Sequence, residues 1–231
     1  MEISFFAADQ KMGVCMAFMI NRDKTSLPPA TLLNPLPVVM VSCAGKDPED
    51  SARRPNIITV AWTGTVNSEP PMVSISLRRS RHSHGIIAAS GEFVINLVGR
   101  SLIRSCDYCG VRSGRDEDKF AACRLTPAAA AGLRYAPAIH ESPVNVSCRV
   151  RSITELGSHD LFLAEIVAVA CRSSLIDAAG KICLEKARLA AYCHGEYFQL
   201  GEVLGFFGFS VASPAAYARR MKGKSAQKRS K

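Results

Sequence analysis

The chain has 231 residues, 48% of them hydrophobic, so it is long enough to bury a substantial core within a single domain. No apolar run approaches the roughly 20 residues that span a bilayer. The short apolar segment 12–20 also lacks the cleavage site of a secretory signal. Nine cysteines, an odd number without regular spacing, favour a reducing compartment over a secreted disulfide scaffold. We therefore predict a cytoplasmic protein without a membrane span.

The net charge of +9 is concentrated at the carboxyl end of the chain. Residues 212–231 carry seven positive charges and no acid, which leaves +2 for the rest. This segment has little to bury, so we predict a disordered basic tail. A nucleic-acid-binding arm is the alternative, but a solubilising tail is favoured because no aromatic side chains interleave the charges. Residues 1–30 show no periodicity and are predicted to be an N-terminal extension, with one domain over residues 31–211.

The stretch 56–77 predicts a β-hairpin around which the rest of the chain is built. β-Branched residues fill its first arm, turn and breaker residues occupy 67–71, and apolar residues alternate with serine over 72–77. The first arm carries polar and aromatic groups on both faces, with Thr59, Trp62 and Thr63 among them. Because a strand in a core should otherwise be apolar, one face is predicted to line a cavity.

A basic segment, residues 78–90, predicts a short helix with Ser80 as its N-cap. Basic residues at a helix start are unfavourable because the macrodipole already places positive charge there, unless an anion is bound. Backbone N–H groups, the Ser80 and Ser83 hydroxyls and the Arg81 guanidinium would then form a phosphate site. Solvated arginines are an equally weighted alternative.

The segment 91–99 predicts a strand in which Asn96 is a lone polar residue among the apolar residues of 93–98. A buried asparagine needs hydrogen-bond partners, whether it binds a ligand or closes a turn. Residues 101–132 are predicted to be mainly helical, with a capping box at Ser113 that starts a helix carrying Phe120 inward. The C-x-x-C pair 106–109 lacks a second pair to complete a zinc site, so buried small side chains are the favoured interpretation.

Residues 142–156 alternate apolar and polar side chains, as in an antiparallel strand with one wet face. The turn GSHD contains His159 and leads into a second apolar strand, so the pair predicts another hairpin. The aromatic and glycine-rich stretch 188–211 is predicted to close a barrel or to pack on a partner chain. Strands at hairpin spacing with helices between them predict an all-β or α+β fold, an antiparallel barrel with peripheral helices.

The order of these motifs resembles the FMN-binding split-barrel family of flavin reductase-like proteins, and is most similar to its flavoredoxin branch. The resemblance covers about residues 33–211 and implies a Greek-key split barrel. Its motifs are PLPVVMVSC, NIITVAWTGTVNSEPPMVSISL, RHSHGII, GEFVINL, DYCGVRSGRDEDKF, ESPVNVSCRV, ELGSHDLFLAEI and YCHGEYFQLG.

FMN is the cofactor that this resemblance implies, with strand 56–63 beside the isoalloxazine and Arg81 near the phosphate. His159 is implied to lie on the nicotinamide side, and no metal is expected. The residues implied to bind FMN are Asn56, Thr59, Ala61, Trp62, Thr63, Arg81, Ser83, Asn96, Leu97, Cys109, Ser113, Asp118, Lys119 and Phe120.

Two functions are compatible with the sequence. One is an NAD(P)H-dependent flavin or ferric reductase that passes electrons through FMN. The other is a non-enzymatic electron carrier of flavoredoxin type, reduced by a redox partner protein. The lack of a G-x-G-x-x-G fingerprint slightly favours the carrier, whereas His159 slightly favours the enzyme. A homodimer is also expected, with its contact formed by the aromatic residues Tyr197, Phe198, Phe206, Phe207 and Phe209.

Overall fold

The computed structural model of the chain describes residues 23–47, 50 and 54–222. The chain divides into two units, residues 1–32 and 33–231. The described part of the first unit, residues 23–32, contains neither helix nor strand. All the elements below belong to the second unit. The prediction of an N-terminal extension therefore lies largely outside the described residues.

The second unit is built mainly from antiparallel strands with four α-helices among the described residues. The strands are β1 (Leu36–Pro37), β2 (Val39–Cys43), β3 (Asn56–Val60), β4 (Thr63–Ser68), β5 (Pro71–Leu77), β6 (Glu92–Leu97), β7 (Pro127–Ala128), β8 (Ala138–Ile139), β9 (Val144–Glu155), β10 (Asp160–Cys171), β11 (Ala190–Cys193) and β12 (Glu196–Gln199). The helices are α1 (His82–Ser90), α2 (Ile103–Val111), α3 (Lys119–Ala122) and α4 (Pro214–Met221).

The main sheet has seven strands in the order β3-β2-β6-β9-β10-β5-β4. Its two edge strands, β3 and β4, are consecutive in the chain and are separated only by Ala61 and Trp62. The sheet must therefore curl until its edges meet at this bend, without a hydrogen-bonded ladder to close it. The Trp62 carbonyl accepts a hydrogen bond from Ser76 N at 2.9 Å, which ties the bend to β5. This open barrel confirms the predicted split-barrel architecture.

The predicted hairpin over residues 56–77 is partly wrong. Only β4 and β5 form a hairpin. Their turn is shorter than the predicted loop over 67–71, because the strands stay paired as far as Ser68 and Pro71. The first half of the predicted first arm is β3, which pairs with β2 at the other edge. β-Branched residues on both sides of the bend, Val60 and Thr63, gave no sign of the break at Ala61.

Two apolar clusters cover β2 on both faces. Val41 packs inside the curled sheet with Phe93 and Phe162, whereas Met40 faces outward toward α2 and α3. Every residue of β2 is buried, which explains why its sequence shows an unbroken apolar run rather than alternation. The outward cluster also contains Phe120, as predicted from the sequence. The sheet thus holds α2 and α3 against β3, where the candidate site lies.

Three predicted helix boundaries are wrong. Arg81 rather than Ser80 is the N-cap of α1, and it provides no side-chain cap. The Asp118 carboxylate caps α3 by accepting hydrogen bonds from Phe120 N at 2.9 Å and Ala121 N at 3.2 Å. Ser113 instead accepts a hydrogen bond from Arg115 N at 3.2 Å, within a turn that interrupts the predicted helix over 101–132. Asp118 outcompetes the Ser113 capping box because it lies directly before the helical residues.

The predicted disorder of residues 212–231 is wrong for α4. Ser213 caps this helix and Pro214 occupies its first turn, which are both favourable start signals. Tyr217 packs against Phe206 and Phe209 at ring-centroid distances of 6.0 and 6.3 Å. Residues 223–231 lie outside the described part of the chain. No helix among the described residues is long and apolar enough to cross a membrane.

Candidate functional site

A cleft with two connected arms lies where β3, the end of β5 and the start of α1 meet α2. Ile58, Arg78 and Arg81 border both arms. The first, which we call the apolar arm, has a volume of about 370 Å³; the second, the cationic arm, has about 440 Å³. The apolar arm is lined by Val38, Ile58, Thr59, Val60, Ala61, Trp62, Ser76, Leu77, Arg78, Arg81, Asp107, Gly110, Val111, His159, Tyr192 and Tyr197. The cationic arm is lined by Asn56, Ile58, Arg78, Ser80, Arg81, His82, Ser83, Cys109, Arg112, Ser113, Gly114, Arg115 and Lys119.

Aromatic rings border the apolar arm on two sides. Trp62, at the bend between the edge strands, lies 4.5 Å from His159 between ring centroids, at an interplanar angle of 39°. Tyr192 and Tyr197 lie 5.6 Å apart, and the Tyr197 hydroxyl donates a hydrogen bond to Asp107 at 3.0 Å. The predicted cavity along 56–63 is therefore confirmed. A flat apolar ring system would find aromatic and aliphatic surface here.

Helix α2 packs closely on β3 beneath the apolar arm. The Thr59 hydroxyl donates a hydrogen bond to the Cys106 carbonyl. Gly110 faces the same threonine, and a Cβ atom on it would lie 3.2 Å from Thr59 Cβ. Thr59 thus lines the arm as predicted, but its hydroxyl is engaged in holding the helix.

The cationic arm collects five basic side chains, namely Arg78, Arg81, Arg112, Arg115 and Lys119. Among the described residues that line it, none is acidic. The α1 N-terminus opens beside it without a side-chain cap and without an acid in its first turn. Like charges held together around exposed helix N–H groups create a site for an anion.

Lys119 forms the floor of the cationic arm. Its side chain is buried, and its Nζ donates hydrogen bonds of 2.8 Å to the carbonyls of Ile57 and Cys109. Burial lowers the pKa of this lysine from its usual value. It lies in the cationic arm and not among the apolar-arm residues, so it is placed to act on a bound anion rather than on a ring.

Asn56, Ser83 and Gly114 form a close contact on one wall of the cationic arm. Asn56 Nδ2 donates a hydrogen bond to Ser83 Oγ at 2.8 Å, which links β3 to α1. A Cβ atom on Gly114 would lie 2.1 Å from Asn56 Oδ1, closer than any van der Waals contact allows. Only glycine therefore lets the loop after α2 approach β3 this closely.

We expect Gly114→Ala to displace Asn56 and to open this wall. Overpacking of this kind costs about 1–3 kcal/mol of the free energy of unfolding, and anion binding in the cationic arm should weaken at least about 10-fold. Chemical denaturation would measure the loss of stability, and titration with the anion would measure the loss of affinity. Gly85→Ala is a matched control, because its Cβ would meet nothing within 4 Å in the middle of α1. Equal ligand affinity in the two variants would contradict the assigned role of Gly114.

Asp160 joins the turn that carries His159 to the start of α1. Its carboxylate accepts hydrogen bonds from Arg79 Nε at 2.9 Å and from His84 Nε2 at 2.8 Å. Burial alone would raise the pKa of Asp160, but the bonds from Arg79 and His84 outweigh it and hold this pKa below its usual value. Arg79 also pairs with Glu155 at 2.7 Å. Of the arginines preceding α1, Arg79 is therefore structural, whereas Arg78 and Arg81 border the cleft.

Both histidines of the cleft have lowered pKa values. Burial and the nearby charge of Arg78 lower the pKa of His159. Burial, followed by Arg115 and Lys119, lowers the pKa of His82. A lowered pKa keeps each imidazole neutral at pH 7.

Nine of the cofactor-binding residues named from the sequence line the cleft. They are Asn56, Thr59, Ala61, Trp62, Arg81, Ser83, Cys109, Ser113 and Lys119. His159, predicted for the nicotinamide side, also lines it. The other predicted residues lie elsewhere: Thr63 donates to Ser74 O at 2.8 Å, Asp118 caps α3, and Phe120 is in the core.

Asn96 and Leu97 line neither arm. Asn96 is fully buried, and its side chain is hydrogen-bonded within the protein. Leu97 borders a separate apolar cleft with Val39 and Leu189. Sequence reasoning missed Arg112 and Arg115 of the cationic arm. The two arginines flanking Ser113 in GVRSGRDEDK were the available signal for this cluster.

The cysteines near the cleft are buried thiols. Burial raises the pKa of Cys106 to about 12 and also raises the pKa of Cys109. Such thiols behave as small hydrophobic side chains, in agreement with the favoured interpretation of the C-x-x-C pair. Within the described residues, no group of three or more histidine, cysteine or acidic side chains could hold a metal ion.

The curled, open antiparallel sheet is also the fold of solved flavoredoxin structures. The family model described as the flavin reductase like domain matches residues 32–201, and the chain belongs to this family. The family assignment confirms the resemblance seen in the sequence and supports FMN as the cofactor.

Several individual proteins are similar to this chain. The solved structure of a flavoredoxin from Desulfovibrio vulgaris (Miyazaki F) has a TM-score of 0.74 at 31% identity, covering 82% of this chain and 100% of that one. An uncharacterised protein from Archaeoglobus fulgidus is 31% identical over 116 residues, which are 50% of this chain and 65% of that protein. A protein named FMN reductase (NADH) RutF from Stutzerimonas stutzeri is 27% identical over 110 residues, 48% of this chain and 60% of that protein. The chain thus spans somewhat less than two thirds of these two relatives.

Proposed function

We propose that the protein binds FMN in the two-armed cleft and works as an NAD(P)H-dependent reductase. The observation that carries this proposal is the pairing of an aromatic-lined apolar arm with an adjoining cationic arm that has no acidic lining residue. FMN has the same division, an apolar tricyclic ring joined through a short polyol to a phosphate. The names of similar FMN reductases support the enzymatic reading.

The residues of the cleft fit this cofactor in both arms. The N-terminal N–H groups of α1 with Arg81, Ser83 and Arg115 would hold the phosphate, which explains why the described lining of this arm is basic and contains no acid. The backbone and side chains of β3 and the Trp62 bend would hold the ring. The Asn56–Ser83 hydrogen bond fixes β3 and α1 relative to each other before any ligand binds.

Bound FMN supplies a two-electron acceptor that can also release electrons singly. The protein's own contribution is binding and orientation, since hydride transfer depends mainly on how two rings face each other. His159 and Trp62 form a rim on the apolar arm where a nicotinamide can be held. Because the His159 imidazole is neutral at pH 7, it can donate or accept one hydrogen bond without adding charge.

The test of this function is anaerobic mixing of the FMN-loaded protein with NADH and, separately, with NADPH. Rapid loss of the visible absorbance of oxidised flavin, at a rate that saturates with one of the two nucleotides, is the expected result. Absence of reduction by both nucleotides, in protein shown to retain FMN, would overturn the enzymatic proposal.

A carrier of flavoredoxin type is the second candidate function. The similarity to the Desulfovibrio flavoredoxin favours it, because that likeness covers the full length of the other protein at 31% identity. The sequence also lacks a G-x-G-x-x-G fingerprint for a resident dinucleotide. In this case the bound flavin would be reduced by a partner protein but by neither nicotinamide nucleotide.

We expect His159→Ala to raise the apparent substrate constant for the nicotinamide nucleotide about 5- to 20-fold with little change in the limiting rate. An effect of this size corresponds to the loss of roughly one neutral hydrogen bond and a ring contact. Steady-state and stopped-flow kinetics would separate the two parameters. Ser158→Ala, which removes only the hydroxyl 2.9 Å from His159 Nδ1, is the milder control. A fall in the limiting rate at saturating nucleotide, with a pH limb lost near the histidine pKa, would indicate a general base instead.

We further propose that the protein is a homodimer. The segment before α4 exposes apolar side chains that a single chain leaves in water, including Leu204 at 86%, Phe207 at 103% and Val211 at 88%. Of the predicted contact residues, Phe198, Phe207 and Phe209 are exposed, whereas Tyr197 lines the cleft and Phe206 packs against Tyr217.

Light scattering should therefore report twice the chain mass of 24.9 kDa. Phe207→Asp should shift the protein toward the single-chain mass, because it places a charge in the contact. Glu202→Asp, an exposed change nearby without loss of charge, is the control. A single-chain mass for the unaltered protein with FMN bound would contradict the dimer.

A further inference from the structure

A second basic cavity lies at the far end of the β9–β10 hairpin from His159. It has a volume of about 510 Å³, and its lining includes Arg100, Arg172, Lys186 and Arg188. None of the residues that line it also lines either arm of the flavin cleft. The cavity is therefore not a continuation of the flavin cleft.

The wall of this cavity is held in place by backbone contacts. Arg100 N donates a hydrogen bond to Arg188 O at 3.0 Å, and Gly99 forms a β-bridge with Leu189. A Cβ atom on Gly99 would lie 2.7 Å from the Ala187 carbonyl oxygen, so the two segments are in close contact. Arg188 has a left-handed backbone with φ of 49°, which is uncommon for arginine. Strained residues of this kind cluster at ligand sites.

Positive charge dominates the cavity. Its lining contains four arginine or lysine residues and one acid, Glu141. The Glu141 carboxylate accepts hydrogen bonds from Thr126 N at 3.0 and 3.1 Å, and the Arg172 guanidinium donates to the Glu141 backbone carbonyl. The acid is thus engaged with another segment, and the four cations outnumber its single negative charge around one concave space. Their mutual repulsion is relieved when a polyvalent anion enters.

We propose that this cavity binds a small phosphate-bearing molecule, as a site separate from the flavin cleft. Arginine forks and a lysine match the oxygens of a phosphate or diphosphate, and the hydroxyls of Ser101 and Ser174 add donors in the same lining. The volume is within the range of small-molecule sites. A concave site of this size suits a compact anion better than a flat protein surface. The proposal does not depend on the function proposed for the cleft.

Calorimetric titration of the FMN-loaded full chain with inorganic pyrophosphate tests this inference, because bound FMN occupies the phosphate site of the cleft. We expect saturable binding of one pyrophosphate that is weakened at least about 10-fold in Lys186→Ala and in Arg188→Asn. Asparagine is chosen at position 188 because it tolerates the left-handed backbone. Arg124→Asn is the matched control: Arg124 is also exposed and left-handed, with φ of 53°, and it borders neither the cleft nor this cavity.

A further variant, Arg81→Ala, distinguishes the two sites. Pyrophosphate binding that survives Arg81→Ala and Arg124→Asn but not the changes at 186 and 188 assigns the anion to the second cavity. Binding that is lost in Arg81→Ala and kept in Lys186→Ala and Arg188→Asn would place the anion in the cleft and overturn the proposal. Equal weakening by Arg124→Asn, or no saturable binding at all, would overturn it as well. Thermal unfolding of each variant without pyrophosphate confirms that it is folded.

Discussion

Asn96→Ala is expected to lower the free energy of unfolding by about 2–5 kcal/mol, because buried polar groups left without partners cost about 1–3 kcal/mol each. Asn96 is completely buried. Its Nδ2 donates to Met40 O and Ser42 Oγ, both at 2.9 Å. Its Oδ1 accepts from Ile139 N at 2.9 Å and from Asn145 Nδ2 at 2.8 Å. One amide thus joins β2, β6, β8 and β9.

Chemical denaturation of the FMN-free protein measures this loss. Asn67→Ala is a suitable control, since Asn67 is exposed and its Nδ2 makes one local hydrogen bond to Pro70 O at 2.9 Å; we expect it to cost less than about 1 kcal/mol. The FMN affinity of folded Asn96→Ala protein should stay within about 3-fold of the unaltered chain, as expected for a residue outside the binding site. Unchanged stability with a large loss of FMN affinity would instead support the cofactor-binding role that the family resemblance implied.

The sequence predicts the sheet where side chains on a strand face two different environments. β5 buries Val73, Ile75 and Leu77 and leaves Ser74 and Ser76 half-buried, which is the alternation from which it was predicted. β9 similarly exposes Arg149 and Arg151. The break between β3 and β4 was not predicted, because it depends on closure of the whole sheet and leaves no local breaker residue.

The candidate site was predicted where its residues are close in the chain. The segment 56–63 and the start of α1 were found from strand and helix patterns, and they line the cleft. Arg112, Arg115 and Tyr192 come from distant segments, and only the packing of α2 on β3 and the pairing of β11 with β1 bring them there. A pattern along one sequence carries no information on such long-range pairings. Asn96 was assigned to FMN by resemblance alone, and its hydrogen bonds show a structural use that no spacing could reveal.

Arg81→Ala is expected to weaken FMN binding roughly 10- to 150-fold, which is the loss of one charge-assisted contact of about 1.5–3 kcal/mol. Arg81 borders both arms of the cleft and is the N-cap of α1. Its charge therefore lies where we propose that the phosphate binds, next to helix N–H groups that have no side-chain cap. The lysine on the floor, Lys119, is held by two carbonyls and cannot move to replace it.

Riboflavin, which shares the ring and polyol but has no phosphate, separates this contact from general damage to the cleft. In a fluorescence titration, Arg81→Ala should change the affinity for riboflavin by less than about 3-fold. The preference for FMN over riboflavin should therefore fall by nearly the same factor as the FMN affinity. Arg104→Ala, an exposed arginine on α2 that borders neither arm, should leave both affinities unchanged. The FMN loss should also shrink as salt is added, because a partly exposed charge is screened. If Arg81→Ala weakens riboflavin as much as FMN, the arginine supports the shape of the cleft and the phosphate is bound elsewhere.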